Sequence, residues 1–302
     1  MSAETLATTA RSKQAFHRDF RVALAGQQLA RNASVSTELA AVDQLFTDWH
    51  ERGVTRFVVL SGFWLDLLDQ YVARYGPVPV DICHVDSVQS PSFDKAGAST
   101  LPVRHVWLAD ARSGTLPCSI PVTRDAPLAW PARDHRLLVH GGGWGMGTYR
   151  EHAAELLAAG FSLDVVAYEQ QDLSTDGVRY FMIDPDWHPW LDDGYPPFAE
   201  AGAPFVQRTG HHGSFDLCRQ ALATVSKPGG GTLLDSLWSA TPLVLLEPFG
   251  PHEQRNADLW ISLGYGIAYE DWQRKDYSLD VLEELHAALL TADVPDYSRA
   301  LL

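Results

Sequence analysis

Short apolar runs alternate along the chain with longer amphipathic stretches, and this alternation limits the possible folds more than any other feature of the sequence. Val22-Ala23-Leu24-Ala25 precedes a helical pattern over 34–51, Phe57-Val58-Val59-Leu60 precedes another over 64–73, and Val80-Asp81-Ile82 follows. Runs of this kind read as strands, and the 3.6-residue spacing between them reads as helix. Parallel strands need long crossovers, which helices usually supply, so the pattern predicts a parallel sheet flanked by helices.

Between 87 and 133 the pattern loosens, because prolines at 91, 102, 117, 121, 127 and 131 restrict helices and central strands. A domain boundary near Trp130-Pro131 divides the chain into 1–130 and 131–302. Beyond it, strands are expected over 136–140, 163–167, 178–183, 204–207, 224–226 and 242–246. The matching helices are expected over 149–159, 215–223, 233–240, 253–263 and 279–290, the last with Leu282, Leu285 and Leu289 on one face. With 302 residues, 46% of them hydrophobic, the chain can bury two cores. The predicted class is α/β: two Rossmann-like, doubly wound domains facing each other across a cleft.

Charge and cysteine usage exclude several functions. Lys and Arg number 23 against 38 Asp and Glu, a formal charge of −15, so no long basic surface is expected for nucleic acid or anionic lipid. Any phosphate must be held locally. No apolar run reaches the roughly 18 residues of a membrane span, and the first twenty residues carry charges instead of a secretory core. Cys83, Cys118 and Cys218 form no CxxC, which argues against disulfides and structural zinc and makes the cytoplasm the expected location. His211-His212, with His135, His140 and His188, lacks HxH or HExxH spacing, so no metal is expected. Asp184 and Asp186, like Asp192 and Asp193, read as solvated loops, and Trp64 and Trp107 as core or cleft lining.

Three loops carry chemistry. His140-Gly141-Gly142-Gly143-Trp144-Gly145-Met146-Gly147-Thr148 joins an expected strand to an expected helix, where glycines such as Gly142 and Gly143 let backbone approach a ligand closely. It does not match GxGxxG, and no acidic residue ends the next strand, which argues against NAD. In Ser226-Lys227-Pro228-Gly229-Gly230-Gly231-Thr232-Leu233-Leu234-Asp235, the amides of Gly230, Gly231 and Thr232 can grip a diphosphate. Lys227 adds charge, Thr232 can cap the helix and Asp235 can accept from ribose hydroxyls. The lysine precedes the glycines, so this is not a Walker A loop. Third, Glu247-Pro248-Phe249-Gly250-Pro251-His252-Glu253-Gln254-Arg255-Asn256-Ala257 ends a strand and opens a helix, where open α/β sheets bind ligands.

The order of these pieces resembles the donor-binding half of GT-B glycosyltransferases, the group of MurG-like enzymes and UDP-glycosyltransferases. The resemblance rests on Gly229 to Thr232, Asp235, Ala240-Thr241-Pro242, His252-Glu253-Gln254, Asn256-Ala257 and Leu263-Gly264-Tyr265-Gly266, and covers roughly 135–270. It implies sugar transfer from a nucleoside diphosphate sugar, UDP- or dTDP-linked, to a small soluble acceptor, without metal or other cofactor. It also implies His211, His212 and Phe215 near the base, Gly230 to Thr232 at the diphosphate, Asp235 at the ribose, and Glu253 and Gln254 at the sugar hydroxyls, with His252 among the donor-binding residues. The chain departs from the pattern in having Asp235 where Glu is usual, Lys227 where many relatives have His, and His252 in place of Asp. The early loop Gly26-Gln27-Gln28-Leu29-Ala30-Arg31 carries no histidine, so the candidate general base is His84, with Asp86 to orient it. Two other functions use the same cradle: nucleotide-sugar hydrolysis or epimerisation, and a non-catalytic binding partner. A homodimer is left open.

Overall fold

The computed structural model describes residues 39–93, 101–174, 177–188 and 192–301. The expected strand at 22–25, the 26–31 loop and residues 34–38 of the first expected helix lie outside them.

The first domain contains helix α1 (Leu39–Glu51), strand β1 (Phe57–Val59), helix α2 (Leu65–Tyr75) and strands β2 (Val80–His84) and β3 (Val103–Trp107). The three strands pair in the order β1-β2-β3, all parallel. Phe46, Leu68, Tyr71 and Ile82 are buried between sheet and helices. Strand β3 was not anticipated, because it falls in the proline-rich stretch; Pro102 sits just before it, where no ladder donor is lost. Strand β2 is buried along its whole length and includes Asp81. Arg104 donates to both of its carboxylate oxygens, at 2.8 and 2.6 Å, which with other donors holds the Asp81 carboxyl below its usual range.

The second domain comprises β4 (Arg136–His140), α3 (Ala153–Ala158), β5 (Ser162–Val166), β6 (Arg179–Ile183), β7 (Phe198–Glu200), α4 (Ser214–Gln220), β8 (Ala223–Ser226), α5 (Gly230–Ser239), β9 (Leu243–Leu245), α6 (Pro251–Ser262), β10 (Gly266–Ala268), α7 (Tyr269–Gln273) and α8 (Leu279–Leu290). Its sheet runs β10-β9-β8-β4-β5-β6-β7, parallel throughout except for the edge pair β6–β7. The chain winds outward from β4 in one direction and from β8 in the other. The point between these two strands is therefore the topological switch, where such sheets open a crevice at their carboxyl ends.

Several sequence expectations are corrected. The edge strand is β7, not 204–207; of that run only Val206 forms a bridge, to Phe198, and Pro204 has no N–H to donate to a ladder. The helix expected over 149–159 is confined to α3, because the glycine turn after β4 continues past Gly147, whose φ is +99°. Helix α5 begins at Gly230, three residues before the expected start, so Thr232 lies inside its first turn. Its N-cap is Gly229, with no side-chain hydrogen bond on the cap. Strand β10 and helix α7 were not anticipated.

The other end of α5 is tightly anchored. The buried guanidinium of Arg133 donates to Ser239 O at 2.6 Å, Ala240 O at 3.2 Å, Ala221 O at 2.7 Å and Thr241 Oγ1 at 2.8 Å. A cation at a helix C-terminus satisfies its last carbonyls and complements its dipole. Burial lowers the Arg133 pKa to about 10, so it is charged at neutral pH. The end of the chain then returns to the first domain: Ser119 N–H donates to Pro295 O, and the Tyr297 hydroxyl to Asp81 Oδ2 at 2.5 Å.

Replacing Arg133 with Met keeps much of the volume and strands these four acceptors. The expected loss is about 3 kcal/mol, read as a lower urea midpoint with an unchanged transition slope.

Candidate functional site

Strand β4 ends at the switch point and runs into the first glycine turn. A Cβ on Gly141 would lie 2.4 Å from Gly145 C and 2.5 Å from Met146 N, so only glycine lets the turn fold back on itself. Gly142, at φ +70°, donates its N–H to His140 Nδ1 at 2.9 Å, and its carbonyl accepts from the Tyr168 hydroxyl. Accepting at Nδ1 makes His140 the Nε2–H tautomer, and burial, with Lys227 nearby, pushes its pKa down to about 4. Thr148 donates through its N–H and hydroxyl to Glu247, at 3.0 and 2.6 Å, tying the turn to the end of β9.

Strand β8 runs into the second glycine turn. Lys227 is buried, and its Nζ lies 2.5 Å from Glu253 Oε1. The lysine stands between the two turns: a Cβ on Gly142 would lie 3.4 Å from Lys227 Cε, and one on Gly229 3.1 Å from Nζ. The other Glu253 oxygen accepts the Phe249 N–H at 2.7 Å. Glu253 is thus committed to a buried ion pair, unlike the sugar contact that the resemblance implies. Gln254 is exposed and donates to Asp258 at 2.8 Å. His252 is half-buried beside Gly250.

Between these turns lies a cavity of about 310 Å³. Gly142, Gly143, Gly231, Thr232 and Asp235 line one part of it; Val166, Ile183, Phe198 and His212 line an apolar part. Gly231 has open space where a Cβ would stand, so the first turn of α5 is accessible. One turn further in, burial pushes the Asp235 carboxyl up to about 7. No hydrogen bond or ion pair among the described residues engages that carboxylate. His212 accepts the Ser214 N–H through Nδ1 at 3.1 Å, whereas Phe215 is buried edge-on to His211 and does not line the cavity.

The neighbouring glycine, Gly230, faces the first domain. A Cβ there would lie 2.8 Å from Val85 O and 3.0 Å from Asp86 Oδ1. Asp86 therefore stands at the mouth of α5, where Oδ1 accepts from Asn256 Nδ2 at 2.9 Å and burial raises its pKa. His84 is elsewhere. It is buried, stacked on Trp107 at 3.9 Å, with Nε2 2.8 Å from His105 Nδ1, and burial pushes its pKa down to about 4. No hydrogen bond joins His84 to Asp86 among the described residues: His84 ends β2 and stacks on Trp107, whereas Asp86 lies in the loop beyond and turns to Asn256.

Sequence reasoning thus named six residues that share one cavity: Gly142, Gly143, His212, Gly231, Thr232 and Asp235. It missed His140 and Tyr168 as anchors of the first turn, and the bridging role of Asn256. A histidine immediately before a glycine run was the available signal for the first of these. Among the described residues, no group of three or more His, Cys, Asp or Glu side chains gathers that could hold a metal ion. No helix among them is long and apolar enough to cross a membrane.

No protein-family model matches the sequence, and no curated protein matches it. The fold is similar to that of glycosyltransferase SsfS6 from Streptomyces sp. SF2575, solved with thymidine diphosphate. That likeness has a TM-score of 0.53 at 14% identity and covers 86% of this chain and 72% of that one. It is also similar to Acinetobacter baumannii MurG, with a TM-score of 0.50 at 11% identity over 87% and 76% of the two chains. The chain has the GT-B fold.

Asp235 titrates near 7 in the fold against about 3.9 unfolded. Its raised pKa contributes stability that is present below about pH 4 and lost as pH rises through 7. Asp235→Asn removes this ionisation, so thermal melts should show the variant gaining on the wild type between pH 5 and pH 8.

Proposed function

We propose that the protein transfers a sugar from a nucleoside diphosphate sugar, with uracil or thymine as base, to a small acceptor. One observation carries the reading: the cavity at the switch point joins an uncapped helix start at Gly231 and Thr232 to a half-buried carboxylate without a hydrogen-bond partner one turn further in, at Asp235. A diphosphate meets the first and ribose hydroxyls meet the second. The thymidine diphosphate bound to SsfS6 supports the nucleotide class.

Helix-start amides carry partial positive charge, and that of α5 is undiminished by any side-chain cap. The acceptor hydroxyl attacks the anomeric carbon as its bond to the β-phosphate oxygen breaks. The electron pair of that bond leaves with the diphosphate, and fixed amides stabilise the new charge without having to reorient. Lys227 lies behind both glycine turns with its charge paired to Glu253, so the helix-start amides supply most of the pull on the diphosphate. The acceptor proton goes to Asp86, which stands at the mouth of α5. Burial raises its pKa and so makes it a better base than an ordinary aspartate. His84, depressed to about 4 and buried in its stack, is a poor base.

Calorimetry with UDP and TDP, paired with a turnover assay on UDP- and dTDP-sugars with and without hydroxylated acceptors, tests this reading. Nucleotide binding should weaken about tenfold or more in Asp235→Ala, the size expected for losing charge-assisted hydrogen bonds. The affinity advantage of the wild type over Asp235→Asn should grow with pH through about 7, as the Asp235 carboxylate ionises, a comparison in which the nucleotide's own phosphate ionisation, common to both, cancels. Free sugar released without acceptor would instead identify a hydrolase, and binding without turnover a non-catalytic partner.

A further inference from the structure

One side chain joins the two domains at the site. Asn256, on α6, is fully buried and uses each end of its amide. Its Nδ2 donates to Asp86 Oδ1 and to Pro228 O, both at 2.9 Å, and its Oδ1 accepts the Ser87 N–H at 2.7 Å. Two of these partners belong to the loop after β2 in the first domain; the third belongs to the glycine turn after β8 in the second. All three bonds fix the orientation of the amide, since exchanging its oxygen and nitrogen would oppose donor to donor and acceptor to acceptor. The same contact is sealed by Gly230, whose missing side chain lets Val85 and Asp86 reach the start of α5.

We infer that Asn256 is a positioning residue that clasps the two domains together and thereby carries Asp86 to the start of α5. The inference rests on the proposed transferase reading for the role of Asp86, but the clasp itself is a mechanical claim. Parted domains break the bonds to Asp86 and Ser87 together, while the bond to Pro228, internal to the second domain, holds the amide in the orientation that re-forms both, so the closed form is favoured as a unit. The cavity lies within the second domain, so opening should withdraw Asp86 while leaving the nucleotide surface in place.

The test uses the full chain. Asn256→Asp is nearly isosteric and keeps the acceptor for Ser87, but turns a carboxylate toward Asp86 and Pro228 O. Small-angle X-ray scattering should show a larger radius of gyration for N256D, and turnover should fall about tenfold or more. UDP or TDP affinity should fall by clearly less than turnover, because of the bonds of Asn256 only the one to Pro228 O reaches the glycine turn. The exchanged pair D86N/N256D restores a donor opposite an acceptor and should regain the compact wild-type scattering, although not the turnover. Gly230→Ala, which wedges the same contact from the other side, should expand the molecule without touching Asn256; it keeps the test decisive if N256D fails to fold. An N256D chain as compact and active as the wild type, an exchanged pair as expanded as N256D, or a compact G230A would overturn the inference. A wild type that neither binds nor turns over nucleotides would refute the transferase reading alone, because scattering still decides the clasp.

Discussion

Backbone packed directly on backbone, at two glycines, sets the shape of the cleft. Gly141 lets the turn after β4 close on Gly145 and Met146, and Gly230 lets the first domain rest on the start of α5. A methyl group at either place would overlap main-chain atoms at 2.4–2.8 Å, and main chain yields far less readily than a flexible side chain. From the first contact follow the anchored turn and one wall of the cavity; from the second follows the position of Asp86.

Electrostatics at the site are local, as the formal charge of −15 requires. The one buried lysine at the glycine turns is paired with Glu253, so the net charge of that pair is zero and the pull on an anion comes largely from oriented amides. Helix α5 suits this task at both ends: Arg133 saturates its last carbonyls, and its first amides are left without a side-chain cap. The cost of the arrangement is concentrated in Asp235, a partly desolvated carboxylate with no hydrogen-bond partner among the described residues, which destabilises the empty fold above neutral pH. Residues that weaken the fold and line a cavity are where function is expected to have overridden stability.

Much of the second domain was legible because most of its strands are short apolar runs and its longer helices carry an apolar face. The α8 boundaries, Leu279–Leu290, match the expected helix residue for residue. Strand β3 was hidden by its proline-rich flanks, and β10 by its length, since Gly266–Ala268 carries too few residues for a period to emerge. At the site, glycines and the acidic residue one turn on could be placed from spacing alone. Glu253 could not, because its commitment to Lys227 depends on two turns that meet only in three dimensions. The same holds for His84, where a strand end offers two directions and packing against Trp107 selects one. Asn256 lies 170 positions from Asp86, a pairing that no local pattern encodes.

A crystal structure of the protein soaked with TDP or UDP is the most direct measurement. Density for the diphosphate against the amides of Gly231 and Thr232, with at least one sugar hydroxyl of the nucleoside on Asp235 and the base in the apolar part beside Phe198, is the predicted result. A nucleotide bound elsewhere, or a cavity that stays empty at saturating nucleotide, would contradict it.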